Sequence, residues 1–325
     1  LSFLFGFTAH AAPTLINGAG STFAAPLYTK WFSEYRAVDP SVEINYQAIG
    51  SGGGVRQFIA GTLDFGASDE PMKEEEIKQV KGGVAHIPTA SGAVVVTYNI
   101  PGVTKSLNFT PDVIADIYLG KITKWDDAKI KALNPDAKLP GQFIITTWRS
   151  DGSGTTAVFT EYLAGHSAEF LGKIGKGKSV KFPTGIGGKG NEGVTGLVRQ
   201  NPGGIGYVEL TYAKVNNLPM GAVRNKAGQF VEPSVESVVA SAAGVQPPAG
   251  DLRMSIMNSG AKGAYPIASY TYILFNKQMP ADKAGKFQTF LKWALGPGQP
   301  IAASLHYGAL PDSVRKRALA AIGGK

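Results

Sequence analysis

Three short segments of small residues constrain this chain most, because each stands where an apolar run gives way to a helical spacing. They are Ala19-Gly20-Ser21-Thr22-Phe23, Gly50-Ser51-Gly52 and Gly152-Ser153-Gly154-Thr155. Thr14-Leu15-Ile16-Asn17 leads into the first, and Phe23, Leu27, Trp31, Tyr35 and Val38 then recur as on one face of a helix. Thr22 is the expected N-cap, and Pro26 falls in the first turn, where proline is tolerated. Val42, Ile44, Tyr46 and Ala48 alternate like a strand ahead of the second segment, and Val55, Phe58 and Ile59 follow it at helical spacing. Phe143 to Trp148 precedes the third, with Val158, Phe159 and Leu163 behind it. Further strands are expected at Leu63 to Ala67, Ala90 to Asn99, Gly204 to Val208 and Ile267 to Phe275. Helices are expected from the acidic run at Glu74 and from the Thr110-Pro111-Asp112 cap. Two helices close the chain, one burying Phe287, Phe290, Leu291 and Ala294, the other Val314, Ala318 and Ile322. Strands alternating with helices imply an α/β fold of mostly parallel sheets covered on both faces. At 325 residues the chain exceeds one ordinary core and suits two lobes. No Ser- or Pro-rich linker cuts it once, so more than one segment is expected to cross between lobes.

Each turn of this kind points unpaired helix-start N–H groups outward, with a hydroxyl beside them and partial positive charge behind. One Gly-Ser turn is an ordinary cap. Three at the carboxyl ends of strands, where α/β sheets collect ligands, point to an anion. Arg149, four residues before Ser153, can offer a two-pronged contact to a tetrahedral oxyanion, with Asp151 orienting it. Asp69 has the opposite sign, which makes sense only for an anion that carries a proton. Hydrogen phosphate keeps one near neutral pH and sulfate does not. Opposing two acceptors in a dry site costs at least about 1–3 kcal/mol. Asp69 therefore argues for phosphate over sulfate or molybdate, and a closed cleft in which short side chains satisfied every oxygen would leave no room for an ester tail.

Further segments complete a pattern. Asn17 to Pro26 (NGAGSTFAAP), Ile49 to Val55 (IGSGGGV), Asp64 to Pro71 (DFGASDEP), Ile117 to Trp125 (IYLGKITKW) and Arg149 to Thr155 (RSDGSGT) resemble the periplasmic phosphate-binding proteins of ABC-type phosphate uptake systems. So do Gly185 to Gly193 (GIGGKGNEG), Gly204 to Glu209 (GIGYVE) and Leu310 to Val314 (LPDSV). The likeness runs in order through the chain and is weakest from Met220 to Lys262. It implies a type II periplasmic binding protein fold, two α/β lobes joined by a hinge of crossing segments. Residues 13–89 with 263–325 would form lobe I, and 90–262 lobe II. It also implies that phosphate is held by the N–H groups of Thr22 and Phe23, the Ser51 hydroxyl, and Asp69 as acceptor of the phosphate proton. Arg149, Ser153, the Gly154 N–H and Thr155 would complete the shell from lobe II, with Asp151 holding Arg149. The implied partners are inorganic phosphate and the permease subunits of an ABC-type transporter, the implied form a monomer, with no cofactor and no metal.

The remaining features fit an exported binding protein. Leu1 to Phe7 and Thr8-Ala9-His10-Ala11-Ala12-Pro13 read as the apolar region and cleavage site of a secretory signal, so residues 1–12 are expected to be its remnant and the protein periplasmic. The chain has no cysteine, which excludes disulfides, thiol catalysis and Cys-ligated zinc. Its net charge of +8 is spread out, and the groups at Lys173 to Lys181 and Arg315 to Arg317 read as solvated surface, not as a nucleic-acid stripe. An enzyme is the weaker reading. Gly152 to Ala157 matches G-x-G-x-x-A only loosely, and His10, His86, His166 and His306 form no catalytic or metal motif. The alternatives left open are a binder of another tetrahedral oxyanion and a phosphate-handling hydrolase.

Overall fold

The computed structural model describes residues 12–103, 105–248 and 250–323. The segment read as a signal remnant, apart from Ala12, lies outside the described residues. In chain order the elements begin with β1 (Thr14–Gly20), α1 (Ala25–Val38), β2 (Val42–Ala48), α2 (Ser51–Ile59), β3 (Phe65–Ser68), α3 (Glu74–Ile77) and β4 (Val84–Asn99). There follow β5 (Asn108–Phe109), α4 (Pro111–Tyr118), α5 (Ala128–Leu133), β6 (Ile145–Arg149), α6 (Gly154–Ala164), α7 (Ala168–Lys173), β7 (Ile186–Gly188) and α8 (Gly190–Gln200). Next come β8 (Gly204–Glu209), α9 (Leu210–Val215), β9 (Ala222–Arg224), β10 (Phe230–Val231) and α10 (Val235–Ala243). The chain closes with β11 (Ala268–Asn276), α11 (Ala281–Ala294), α12 (Gln299–Ser304) and α13 (Asp312–Ile322).

Eight strands form one sheet in the order β2-β1-β3-β11-β4-β8-β6-β7. Pairing is parallel on both flanks and antiparallel in the middle, where β11 meets β3 and β4, and β4 meets β8. Strand β4 joins the two sides. Up to Ala93 it pairs with β11, and from Val94 onward it pairs with β8. Its residues from His86 to Tyr98 are buried throughout, as a strand covered on both faces requires. A small sheet, β10-β9-β5, stands apart on the second side.

Each side has its own aromatic centre. Beside β1 and β3, Phe32, Tyr35, Phe65, Phe287 and Phe290 pack ring to ring from α1, β3 and α11. Beside β6 and β8, Tyr118, Phe159, Phe182 and Tyr207 do the same, the closest rings 4.2 Å apart. A fully buried Phe contributes roughly 1.5–3 kcal/mol, and both centres belong to one continuous hydrophobic core. The two terminal helices bury Phe287, Phe290, Leu291, Ala294 and Val314, Ala318, Ile322, the faces their spacing predicts. The Thr110 cap also forms, its hydroxyl accepting the Val113 N–H.

Candidate functional site

Strands β1, β2 and β3 run parallel, so their carboxyl ends reach one edge, with Gly20 level with both Ala48 and Ala67. The expected Thr22 cap is corrected here. Helix α1 starts only at Ala25, with Ala24 at the cap position and no side-chain cap bond. The chain between is held by its carbonyls. The O–H groups of Tyr46, Tyr212 and Tyr307 donate to the carbonyls of Ser21, Thr22 and Phe23 at 2.8, 2.6 and 2.6 Å. With three successive carbonyls occupied, the N–H groups of Thr22 and Phe23 find no acceptor among the described residues. Unpaired buried N–H groups are costly, so this turn is built to receive an acceptor.

The second turn is the helix start itself. Ser51 opens α2, and Gly50 before it has φ 82°, a left-handed backbone that glycine tolerates. Asp69 follows β3 and is 2% exposed. Its Oδ1 accepts from Ser21 Oγ at 2.5 Å and from Thr271 Oγ1 at 2.8 Å, and its Oδ2 from Ser51 Oγ at 3.1 Å. Burial raises the Asp69 carboxyl above its ordinary range, opposed by these hydroxyls and by the charge of Arg149.

The third turn comes from the other side of the sheet and meets the first two. Arg149 ends β6 with its side chain 1% exposed. Asp151 takes its Nε–H at 2.7 Å and its Nη2–H at 2.6 Å. Burial pushes the Asp151 carboxyl up, but Arg149 and the Gly190 N–H outweigh that and hold it below the usual range. Guanidinium has five N–H groups, so most of its Nη edge stays available for a second oxyanion. Ser153 caps α6 by accepting the Thr156 N–H at 3.0 Å, and its own O–H finds no acceptor among the described residues. A Cβ on Gly154 would lie 2.5 Å from both Asp69 Oδ2 and Ser51 Oγ, so only glycine permits this approach. The Gly52 N–H donates to the Gly152 carbonyl at 2.8 Å, joining the turns directly.

The structure thus brings Thr22, Phe23, Ser51, Asp69, Arg149, Ser153, Gly154 and Thr155 into one buried cluster, with Asp151 behind Arg149. Sequence reasoning missed several members. Ser21 and Thr271 donate to Asp69, and Asn191, wholly buried, donates to Thr22 and Thr155. Asn191 lies inside the GIGGKGNEG segment, so its position was in view although its role was not. Lys178 corrects the reading of Lys173 to Lys181 as solvated surface. Its side chain is 12% exposed, and its Nζ lies 2.8 Å from Glu70 Oε2 across the junction. His86 is buried away from this cluster, accepts the Met72 N–H and is pushed down to about 4 by burial and the charge of Arg253.

The model of the PBP superfamily domain matches residues 8–297. The phosphate-binding protein PstS of Xylella fastidiosa (strain Temecula1) is 45% identical over 306 residues, covering 93% of this chain and 83% of the relative. PstS of Pasteurella multocida is 44% identical over 302 residues, covering 92% and 87%. A solved high-affinity periplasmic phosphate-binding protein bound with phosphate (PfluDING) shares the fold at TM-score 0.76 and 19% identity, over 94% of this chain and 93% of that one. With these relatives spanning nearly its whole length, the chain belongs to the PstS phosphate-binding protein family of the PBP superfamily.

Proposed function

We propose that this chain captures inorganic phosphate between two lobes and passes it to the permease subunits of an ABC-type transporter, as a binding protein of the periplasm and not an enzyme. One observation carries the reading. A buried carboxyl, Asp69, meets the start of α6 from the opposite side of the sheet, with Arg149 beside it. In this reading the N–H groups of Thr22 and Phe23, and the Ser51 hydroxyl once its proton turns from Asp69 to the ion, hold the ion from residues 13–89 with 263–325. Arg149, Ser153, the Gly154 N–H and Thr155 hold it from residues 90–262. The partner switch of β4 at Ala93 and Val94 supports a hinge near that division. Asp69 accepts the proton that phosphate still carries. Ion and closed form stabilise each other, because the shell is complete only when both sides meet.

For the hydrolase reading the site offers the Asp69 carboxyl as a base. No histidine is a hydrogen-bond partner of these residues within the described residues. Equilibrium dialysis of the ligand-free protein against labelled phosphate should show saturable one-to-one binding, and no uptake would end the proposal. Arg149→Ala should weaken binding about 100-fold through lost charge-assisted hydrogen bonds. Sustained release of phosphate from a phosphate monoester would contradict a pure binding role.

A further inference from the structure

We infer that Asn191 is a positioning residue that fixes the polarity of two threonine hydroxyls facing the ion, an inference that rests on the phosphate reading above. Asn191 stands in the first turn of α8 and is fully buried. The Glu209 N–H can only donate, and it meets Asn191 Oδ1 at 2.9 Å, so the carboxamide has one orientation and its Nδ2 faces the cluster. There Nδ2 donates to Thr22 Oγ1 at 2.8 Å and to Thr155 Oγ1 at 3.2 Å. The Asn191 backbone N–H adds a second bond to Thr22 Oγ1 at 3.2 Å, and Arg149 Nη1 a second to Thr155 Oγ1 at 3.4 Å.

A hydroxyl has two lone pairs and one proton. Both lone pairs of each threonine oxygen are engaged by N–H groups, and neither hydroxyl donates to a protein acceptor among the described residues. Each proton is therefore left for an acceptor in the site. Without Asn191 the hydroxyls are free to rotate, and each can turn a lone pair toward the anion. One carboxamide thus imposes donor polarity on a residue from each side of the sheet, and it can do so only when the sides are together.

A double-mutant cycle on the full chain tests this, with phosphate affinity as the readout. Asn191→Ala should weaken phosphate binding about 10- to 100-fold, the scale of hydrogen bonds to a charged group. In a Thr22→Val, Thr155→Val background the same substitution should cost less than about threefold, because the hydroxyls it acts through are gone. Equal losses in both backgrounds would overturn the inference, since a merely structural role adds independently. If Asn191→Ala does not fold, Asn191→Leu fills the same volume without donors, and the cycle is read the same way. The outcomes separate the two claims. An unsubstituted chain that binds no phosphate defeats the function, whereas phosphate binding with an additive cycle defeats only the role of Asn191.

Discussion

Asp69 places an acceptor where an anion is to bind, and its surroundings explain how. Three hydroxyls donate to it, and burial favours its neutral form. At neutral pH its carboxylate needs a proton from the ligand, which phosphate supplies and sulfate cannot. Asp69→Asn puts a donor at that point, so sulfate binding should appear and the preference for phosphate over sulfate should fall at least about tenfold. Lowering pH should do the same in the unsubstituted chain, with sulfate affinity rising as Asp69 takes up a proton. Competition between the two ions in a filter-binding assay checks both. Glu209 gives a second pH effect, on stability. Burial raises its carboxyl well above the ordinary range despite the Thr211 N–H that it accepts at 2.8 Å, and the charge of Asp69 raises it further. The folded state then holds a proton that the unfolded state has lost, so stability falls as pH rises from the ordinary glutamate range toward the raised value. Glu209→Gln removes this loss. Its gain in thermal stability over the parent should grow with pH across that window, by at most about 1.4 kcal/mol per pH unit. Unfolding scans at several pH values would show no such trend if Glu209 were ionised in the fold. Asp69 and Arg149 were legible in the sequence because their charges are anomalous or apt beside a glycine turn. Ser21 and Thr271 were not, since their roles arise from partners 48 and 202 residues away from them.

The turns and helix starts show what local pattern can and cannot give. The faces of α11 and α13 follow from spacing alone, because a helix turns at a fixed rate and buries one stripe. The start of α1 did not follow. Thr22 is a good cap by type, but the carbonyls of Ser21, Thr22 and Phe23 accept three tyrosine hydroxyls from distant elements, and the helix begins only at Ala25. Tertiary bonds won over local propensity there, and the cost is met by the N–H groups left for a ligand. At α6 the competing demands fall on Gly154. Alanine is the better helix former by about 1 kcal/mol. Its Cβ would nonetheless press within 2.5 Å of Asp69 Oδ2 and Ser51 Oγ. Gly154→Ala should therefore leave the ligand-free protein at least as stable to heat and weaken phosphate binding about 10- to 100-fold, since overpacking a buried contact costs about 1–3 kcal/mol. Undiminished affinity would mean the two sides do not come this close when phosphate binds.

Across the whole molecule, the α/β alternation and the two-sided design were readable, while the contacts that close the sides were not. The antiparallel middle of the sheet had no local signature, because β11 comes from the far end of the chain to pair with β3 and β4. Lys178 is the clearest case. It sits in a basic group that looks solvated, yet its Nζ pairs with Glu70, the residue after Asp69, and lies 3.8 Å from Glu76. Its carbonyl also accepts the Ser153 N–H at 2.8 Å, so the pair is tied to both edges of the site. Partly buried pairs fall between exposed ones and fully buried ones, so Lys178→Ala should speed phosphate release roughly 3- to 30-fold. Exchange of the two charges, Lys178→Glu with Glu70→Lys, should restore most of the slow release. A release rate indifferent to all three changes would show that the pair has no part in closure. The central claim is a dry site in which both sides grip a protonated tetrahedral anion, and calorimetric titration of the ligand-free chain with phosphate and sulfate at neutral pH tests it most directly. The account predicts tight one-to-one binding of phosphate and little or no heat from sulfate. Comparable affinity for the two ions would contradict it.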